Sequence, residues 1–458
     1  MEWGQLALYL AEHSANVSPG MPAMLRLLAA VCLASSAILS HAAGWPEFRG
    51  PGGQGHSPSP APTTWSETEN VVWKTDLPGR GWSSPVIRGN QIWVTSAIEK
   101  LGATEDQLAS KTDGLMTAKN SELASSLSLQ ALCLDKRTGE LRRQVELFTP
   151  SDIDVIHSLN SYASPTPVVE AGRLYCHFGT YGNACVDTTT GEVLWRRVLP
   201  VKHYVGPGSS PVLYEDLMVL TYDGANVQFV TALDKRTGET VWRTDRPAIR
   251  SKEPDFRKSY CTPVVFHAAG RDQLAVTGAQ WIVSYNPRNG EELWRADHGD
   301  GFSVVPRPVA ADGIVYFSSG FTSPEIIAVR ADGSGDVTST HLIARSRHQA
   351  PTMPSPLLIG DRLLTVSDKG VGVCLDLSLE NLVWRKRMGG NYSASPLLAG
   401  GLVYFFNQEG LTTVLDAKSD EARTVSQNQL DGAIMATPAV DDGRLYLRTD
   451  QSLYCLGE

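Results

Sequence analysis

Residues 161–199 read SYASPTPVVEAGRLYCHFGTYGNACVDTTTGEVLWRRVL, and the punctuation of this stretch decides the fold. Three short apolar or alternating runs, PVV, RLYCHF and NACVD, precede a turn and a fourth run, EVLWRRVL. Glu170-Ala171-Gly172, Gly179-Thr180-Tyr181-Gly182 and Thr190-Gly191 separate them. Glycine adopts positive φ without steric cost, so these are places where a strand reverses. Four strands of about five to seven residues make one small antiparallel sheet. Such a sheet cannot bury both faces alone and needs neighbours of its own kind.

The chain supplies them. The unit recurs as WSSPVIRGNQIWVTSAI resumed by QALCLDKRTGELRRQVEL, as GSSPVLYEDLMVLTYDGANVQFVTALDKRTGETVWRTD, and as YCTPVVFHAAGRDQLAVTGAQWIVSYNPRNGEELWRAD. Four later copies begin at PRPVAADG, MPSPLLIG, YSASPLLAG and MATPAVDDG. Pro85, Pro167, Pro211, Pro263, Pro308, Pro356, Pro396 and Pro438 mark a common register. Intervals of about forty to fifty residues are the period of a four-stranded propeller blade. The reading is an all-β, eight-bladed β-propeller, with seven blades the nearest alternative. The last unit stops after its third strand, while NVVWKTDL (70–77) has the form of a fourth strand. An N-terminal strand completing the last blade closes the ring and removes exposed sheet edges.

Trp73, Trp195, Trp242, Trp294 and Trp384 share one repeat position, which predicts packing between blades. Cys133, Cys185, Cys374 and Cys455 share another and read as small core residues, with no CxxC pair to suggest a metal. A Cys176–Cys185 disulfide across one hairpin is left open. The DKRTGE turns (135–140, 234–239) and TTTGE (188–192) link third and fourth strands. They fall on the face away from the loops between blades.

With 458 residues, 42% hydrophobic and 19% charged, the chain has ordinary globular composition. Its net charge of -9 lacks the basic footprint of a nucleic-acid binder. Residues 1–42 are expected to hold a cleaved secretory signal. Arg26 precedes an apolar core and Ser40-His41-Ala42 forms a small-x-small site, with translation starting at Met21 or Met24. Ser35 and Ser36 interrupt the apolar run, which argues against a membrane span. Lipidation at Cys32 is the lesser alternative, because Val31 is too large for the usual preceding residue. Residues 43–69, rich in Gly, Pro and Ser, read as an arm that lies across a surface or stays mobile. Residues 70–458 form the propeller, with an insertion at 101–128 whose Leu108, Leu115, Met116 and Leu123 suit short helices.

SPxV openings, ALDxxTGE turns and the following Trp together resemble the pyrroloquinoline-quinone-like β-propeller repeat family over nearly all of residues 70–458. Quinoprotein alcohol dehydrogenases and BamB-like outer-membrane assembly lipoproteins share these repeats. One scaffold hosts unrelated sites, so the resemblance speaks to fold more than to activity. For the dehydrogenases it implies a quinone under a ring of adjacent cysteines, calcium on acidic and amide side chains, and an aspartate base. No adjacent cysteines occur here, and neither the calcium ligands nor the base map onto matching positions. For the BamB-like branch it implies a periplasmic binding surface.

The loops between blades and the second-to-third loops share one face, the mouth. Those between blades carry Arg80, Trp82, His157, Asn160, Tyr162, His203, Tyr204, Lys258, Tyr260, Arg307, His348, Asn391 and Tyr392. Second-to-third loops add Tyr181, Asp223, Trp281, Lys369 and Asn407. Aromatic rings beside amides and guanidinium groups suit a sugar or an extended peptide. No phosphate loop, HExxH or nucleophile motif is present. The function expected is a monomeric, exported, periplasmic scaffold for an envelope protein, peptide or glycan, without an assigned cofactor or metal. The alternative is a periplasmic oxidoreductase using pyrroloquinoline quinone with calcium on alcohols or sugars. Changing Tyr162, Arg307 and Tyr392 together is expected to remove binding and spare stability.

Overall fold

The computed structural model describes residues 44–457; the signal and lipidation readings lie outside them. Eight four-stranded antiparallel sheets follow one another, each in the order first, second, third, fourth strand, so the fold is an eight-bladed propeller. First strands of neighbouring blades touch each other, which places them innermost, around the axis. The eighth blade takes Ala439–Asp441, Arg444–Arg448 and Ser452–Leu456 from the C-terminus. Its fourth strand is Val71–Asp76 from the N-terminus, antiparallel to Ser452–Leu456.

The repeated Ser/Thr-Pro pair has a specific job. Ser84, Thr166 and Ser210 each donate a backbone N–H to the hydroxyl one blade on, at Thr166, Ser210 and Thr262 (2.9–3.0 Å). The chain of bonds resumes from Arg307 to Ser355, Ser395 and Thr437. Proline cannot donate, so the residue before it carries the link and the ring fixes its backbone. Two seams lack such a bond among these contacts, and each has a buried arginine instead. Arg448 of blade 8 donates to Ser83 and Thr95 of blade 1, and Arg307 of blade 5 donates to the Pro263 carbonyl of blade 4.

The tryptophans form the outer seam. Indole N–H groups of Trp73, Trp195 and Trp242 donate to Lys136, Lys235 and Pro287 in the next blade's third-to-fourth turn (2.9–3.2 Å). Gly139, Gly238 and Gly290 of those turns sit against the ring faces at φ near +73°. A bulge between third and fourth strands recurs in every blade beside the tryptophan position. A small residue, Cys185, Ala232, Ser284, Cys374 or Cys455, pairs with the ring there. This accounts for the repeated cysteine. All six described cysteines are buried and free. Cys176 pairs with Ala184 and Cys185 with Tyr175, so the two thiols point to opposite faces of the hairpin and form no disulfide. A Cβ at Gly238 would lie 2.6 Å from Trp195 at a φ of +74°. Gly238→Ala is therefore expected to cost about 1–3 kcal/mol in urea unfolding; an unchanged midpoint would show that the turn adapts freely.

The arm departs from its expected surface path. Trp45 bridges Ile87 of blade 1, and the Pro46 carbonyl accepts from Val169 of blade 2. Arg49 donates to Pro356 of blade 6, and His56–Ser57 pair in parallel with Leu398–Ala399 of blade 7. All these partners lie on first strands or at their openings, so residues 45–57 fill the channel. The chain leaves past Gly400 and runs outward between blades 7 and 8, where Trp65 joins the core. It then becomes the closing strand. Polar backbone in a dry channel must find partners, and a stretch rich in Gly and Pro, free of any side-chain period, supplies them to several strands at once.

Candidate functional site

The insertion builds most of the mouth on blades 1–4. The second and third strands of blade 1 run long, Gln91–Leu101 and Ala124–Asp135. Between them, helix Glu105–Thr112 starts at Thr104, whose hydroxyl and the Gln107 side chain form a reciprocal capping box. Ser121–Glu122 pair with Ile156–His157 of the next inter-blade loop. Lys111 reaches Asp152 at 2.6 Å and Asp154 at 3.8 Å, and Arg80 holds Glu99 and Glu122 at 2.7 and 2.9 Å. The Met116 N–H donates to Asp255 (3.1 Å) in the loop between blades 3 and 4. The insertion thus bridges across blade 2.

The expected mouth residues fall into separate groups rather than one ring. On blades 1–2, Tyr162 and Tyr181 are buried edge to face at 6.0 Å, and their hydroxyls are committed to Asp154 and Ala124 backbone. Asn160 donates to the Val205 and Pro207 carbonyls, His157 accepts from the Leu159 N–H, and the Trp82 N–H donates to Ala163. On blades 2–4, the buried Tyr260 hydroxyl donates to the His203 carbonyl. Lys258, buried and paired with Asp255, stands 5.6 Å from the Tyr204 ring. Trp281 donates to Ala248 and lies under Arg295. On blades 6–7, Lys369 donates to Asn391, Asn391 to Glu409, while the Asn407 carbonyl oxygen caps its own turn. Tyr392 is buried beneath them, its N–H donating to the Asp368 carbonyl; His348 is exposed.

Arg307 stands apart from the mouth, 1% exposed, bonded within the channel to Pro263, Phe48 and Glu47. Tyr162, Arg307 and Tyr392 therefore present no free surface to a ligand. Their joint replacement is expected to lower stability, reversing the expectation drawn from sequence.

Electrostatics in the seam between blades 3 and 4 are set by burial. Asp223 is 1% exposed, and burial pushes its carboxyl up to about 6 despite Arg246 at 3.4 Å. A carboxyl whose folded pKa stands above its unfolded value takes up a proton on folding. Its contribution is complete below about pH 4 and is lost as pH rises through about 6. Asp223→Asn is expected to flatten the pH dependence of the melting temperature across that window; an unchanged slope would place the titration elsewhere.

Sequence reasoning missed the apolar stripe beside these groups. Phe256 packs on Phe302 with centroids 4.6 Å apart, and Phe302 on Phe321 at 5.8 Å, linking blades 4 and 5 across three loops. Phe321 is 52% exposed, and Met116, bonded next to Phe256 through Asp255, is 67% exposed. Leu159, beside the insertion's strand pair, is also exposed. Most other exposed large hydrophobics lie on the outermost strands, one per blade. The signal in sequence was Met116 and Phe321 as apolar residues in loops that need none for a core.

The groups expected for a calcium-held quinone are not gathered here. Among the described residues no three His, Cys, Asp or Glu side chains cluster as a metal requires. The enclosed cavity on blades 2–3 has room for about one water, and a wider cleft of about 260 Å³ lies at the rim by Lys74, Asp76 and Asp431. A three-carboxylate cofactor finds no excess of cations in either.

Eight four-stranded blades with Ser/Thr-Pro links and Trp–Gly seams define a propeller of pyrroloquinoline-quinone-like repeats. The chain belongs to the family described as outer membrane protein assembly factor BamB, whose model matches residues 59–244, 130–351 and 278–423 in overlapping windows, as repeats do. BamB from Moraxella catarrhalis is similar in structure, with TM-score 0.52 and 14% identity over 74% of this chain and 94% of that one. Quinohemoprotein alcohol dehydrogenase from Comamonas testosteroni gives TM-score 0.62 and 10% identity over 92% and 82%. A europium-containing methanol dehydrogenase gives 0.59 and 11% over 88% and 89%. At such identities the likeness is one of fold. No curated protein matches the sequence. Among the described residues no helix is long and apolar enough to cross a membrane.

Proposed function

We propose that this protein is an exported, periplasmic propeller that binds another envelope protein through its mouth and performs no chemistry of its own. The observation that carries this reading is the exposed Met116–Phe256–Phe321 stripe on a face whose polar side chains are mostly bonded to one another. A contiguous exposed apolar patch rimmed by polar residues marks a contact surface. Membership of the BamB family supports a protein as the partner. The dehydrogenase reading has the fold behind it, but the mouth offers neither metal ligands nor a cofactor-sized cavity.

The test is site-specific photocrosslinking in the envelope from position 321 or 116, with position 194 on an outer strand as control. One discrete adduct from the mouth positions, lost on Met116→Ser with Phe321→Ser, is the expected result. Equal crosslinking from 194, or quenching of tryptophan fluorescence by pyrroloquinoline quinone and calcium at micromolar levels, would reject it.

A further inference from the structure

Beneath the paired segment Ile156–His157 lies an enclosed cavity that no residue of the apolar stripe lines. Its walls include Asp154, Phe178, Thr180, Tyr181, His203 and Tyr204, around about 10 Å³ of space, enough for the centre of one water. His203 is 7% exposed, yet neither ring nitrogen has a hydrogen-bond partner. Buried polar groups are normally paired, so a bare imidazole at a cavity wall needs an explanation.

The roof is the segment around Asp154–Ile156, and the insertion clamps it. That clamp consists of a two-residue strand pair, the Lys111 contacts to Asp152 and Asp154, and the Met116–Asp255 bond. Asp152 is 88% exposed. Ion pairs that face water contribute little each, so the clamp can open locally while the blades stay intact.

We infer that this is a closed binding site for one ring of an uncharged sugar, opened by lifting the roof. The walls determine the class. Tyr181, Tyr204 and Phe178 offer aromatic surface to C–H groups. Lys258, the cation nearest Tyr204, is spent on Asp255, and Lys111 balances the carboxylate of Asp154. No uncompensated charge therefore remains to hold an ionic ligand. His203 and Thr180 supply hydroxyl-scale hydrogen bonding. As it stands the cavity admits only water, so a ring enters only with the roof raised, and the rate of opening governs association.

The experiment uses the full chain with maltotriose and chitotriose as probes, followed by calorimetry and stopped-flow tryptophan fluorescence. Saturable binding of at least one probe is expected. Thr180→Val and His203→Ala should each weaken it about tenfold or more. Thr180 is only partly buried, so its variant keeps the test open should His203→Ala misfold. Lys111→Met should raise the association rate about fivefold by loosening the clamp, a change that a purely structural lysine would not produce. Phe321→Ser should leave sugar binding unchanged, which separates this site from the protein-binding stripe. Absence of saturable binding of both sugars at about 10 mM, in wild type and Lys111→Met alike, would overturn the inference. So would wild-type affinity in a folded Thr180→Val.

Discussion

Deleting residues 70–77 is expected to unfold the whole ring and not to fray one blade. Val71–Asp76 supplies the outer strand of blade 8, and its Trp73 spans the seam to blade 1 through Lys136 and the Gly139 turn. That same seam lacks the hydroxyl link found at most others and relies on Arg448. Losing the strand would open the seam and leave an unpaired sheet edge next to it. Trp73 is 9% exposed, and replacing it with alanine alone is expected to cost about 3–5 kcal/mol in urea unfolding. A deletion variant that melts in one transition near the wild-type midpoint would show that the ring closes without this strand.

Arg307→Met is expected to have the next largest effect, about 3–5 kcal/mol. The guanidinium ties blade 4, through Pro263, to the arm, through Phe48 and Glu47. Removing it strands the Glu47 carboxylate, which is 17% exposed, and leaves two carbonyls without donors. The double variant Glu47→Gln with Arg307→Met should recover part of the loss, since deleting both charges is cheaper than orphaning one. The single variant should also release the arm to trypsin at Arg49. Wild-type stability with a protected arm would mean that the channel contacts are incidental.

The ring was legible because its joints are written into each repeat. A hydroxyl before a proline, a small residue opposite a tryptophan, and a glycine beneath the next ring are local signatures with local causes. NVVWKTDL could be assigned to the last blade for the same reason: it carries the tryptophan without the strands before it. The arm's path was not legible. Trp45 and Arg49 acquire partners only at Ile87 and Pro356, far along the chain, and nothing in FRGPGGQGH shows a strand period. At the mouth, reading polar loop residues found Tyr204, Lys258 and His203, which the fold does bring together. It also gathered Arg307 and Tyr392, which the fold buries elsewhere. Phe256, Phe302 and Phe321 escaped notice because their stacking crosses three loops and has no sequence spacing.

Filling of the channel by residues 45–57 has a mechanical consequence. In the closing blade Val71 pairs with Leu456, so the two chain ends emerge side by side. Force applied directly across that pair would unzip the strands one bond at a time, the weakest way to load a sheet. A tether joined ahead of Gly44 pulls elsewhere. Tension would reach the bridge of Trp45 to Ile87, then the buried guanidinium of Arg49, before any of it arrived at Val71. The arm would act as a strain relief, and a molecule held by that end should resist extension until the channel gives way.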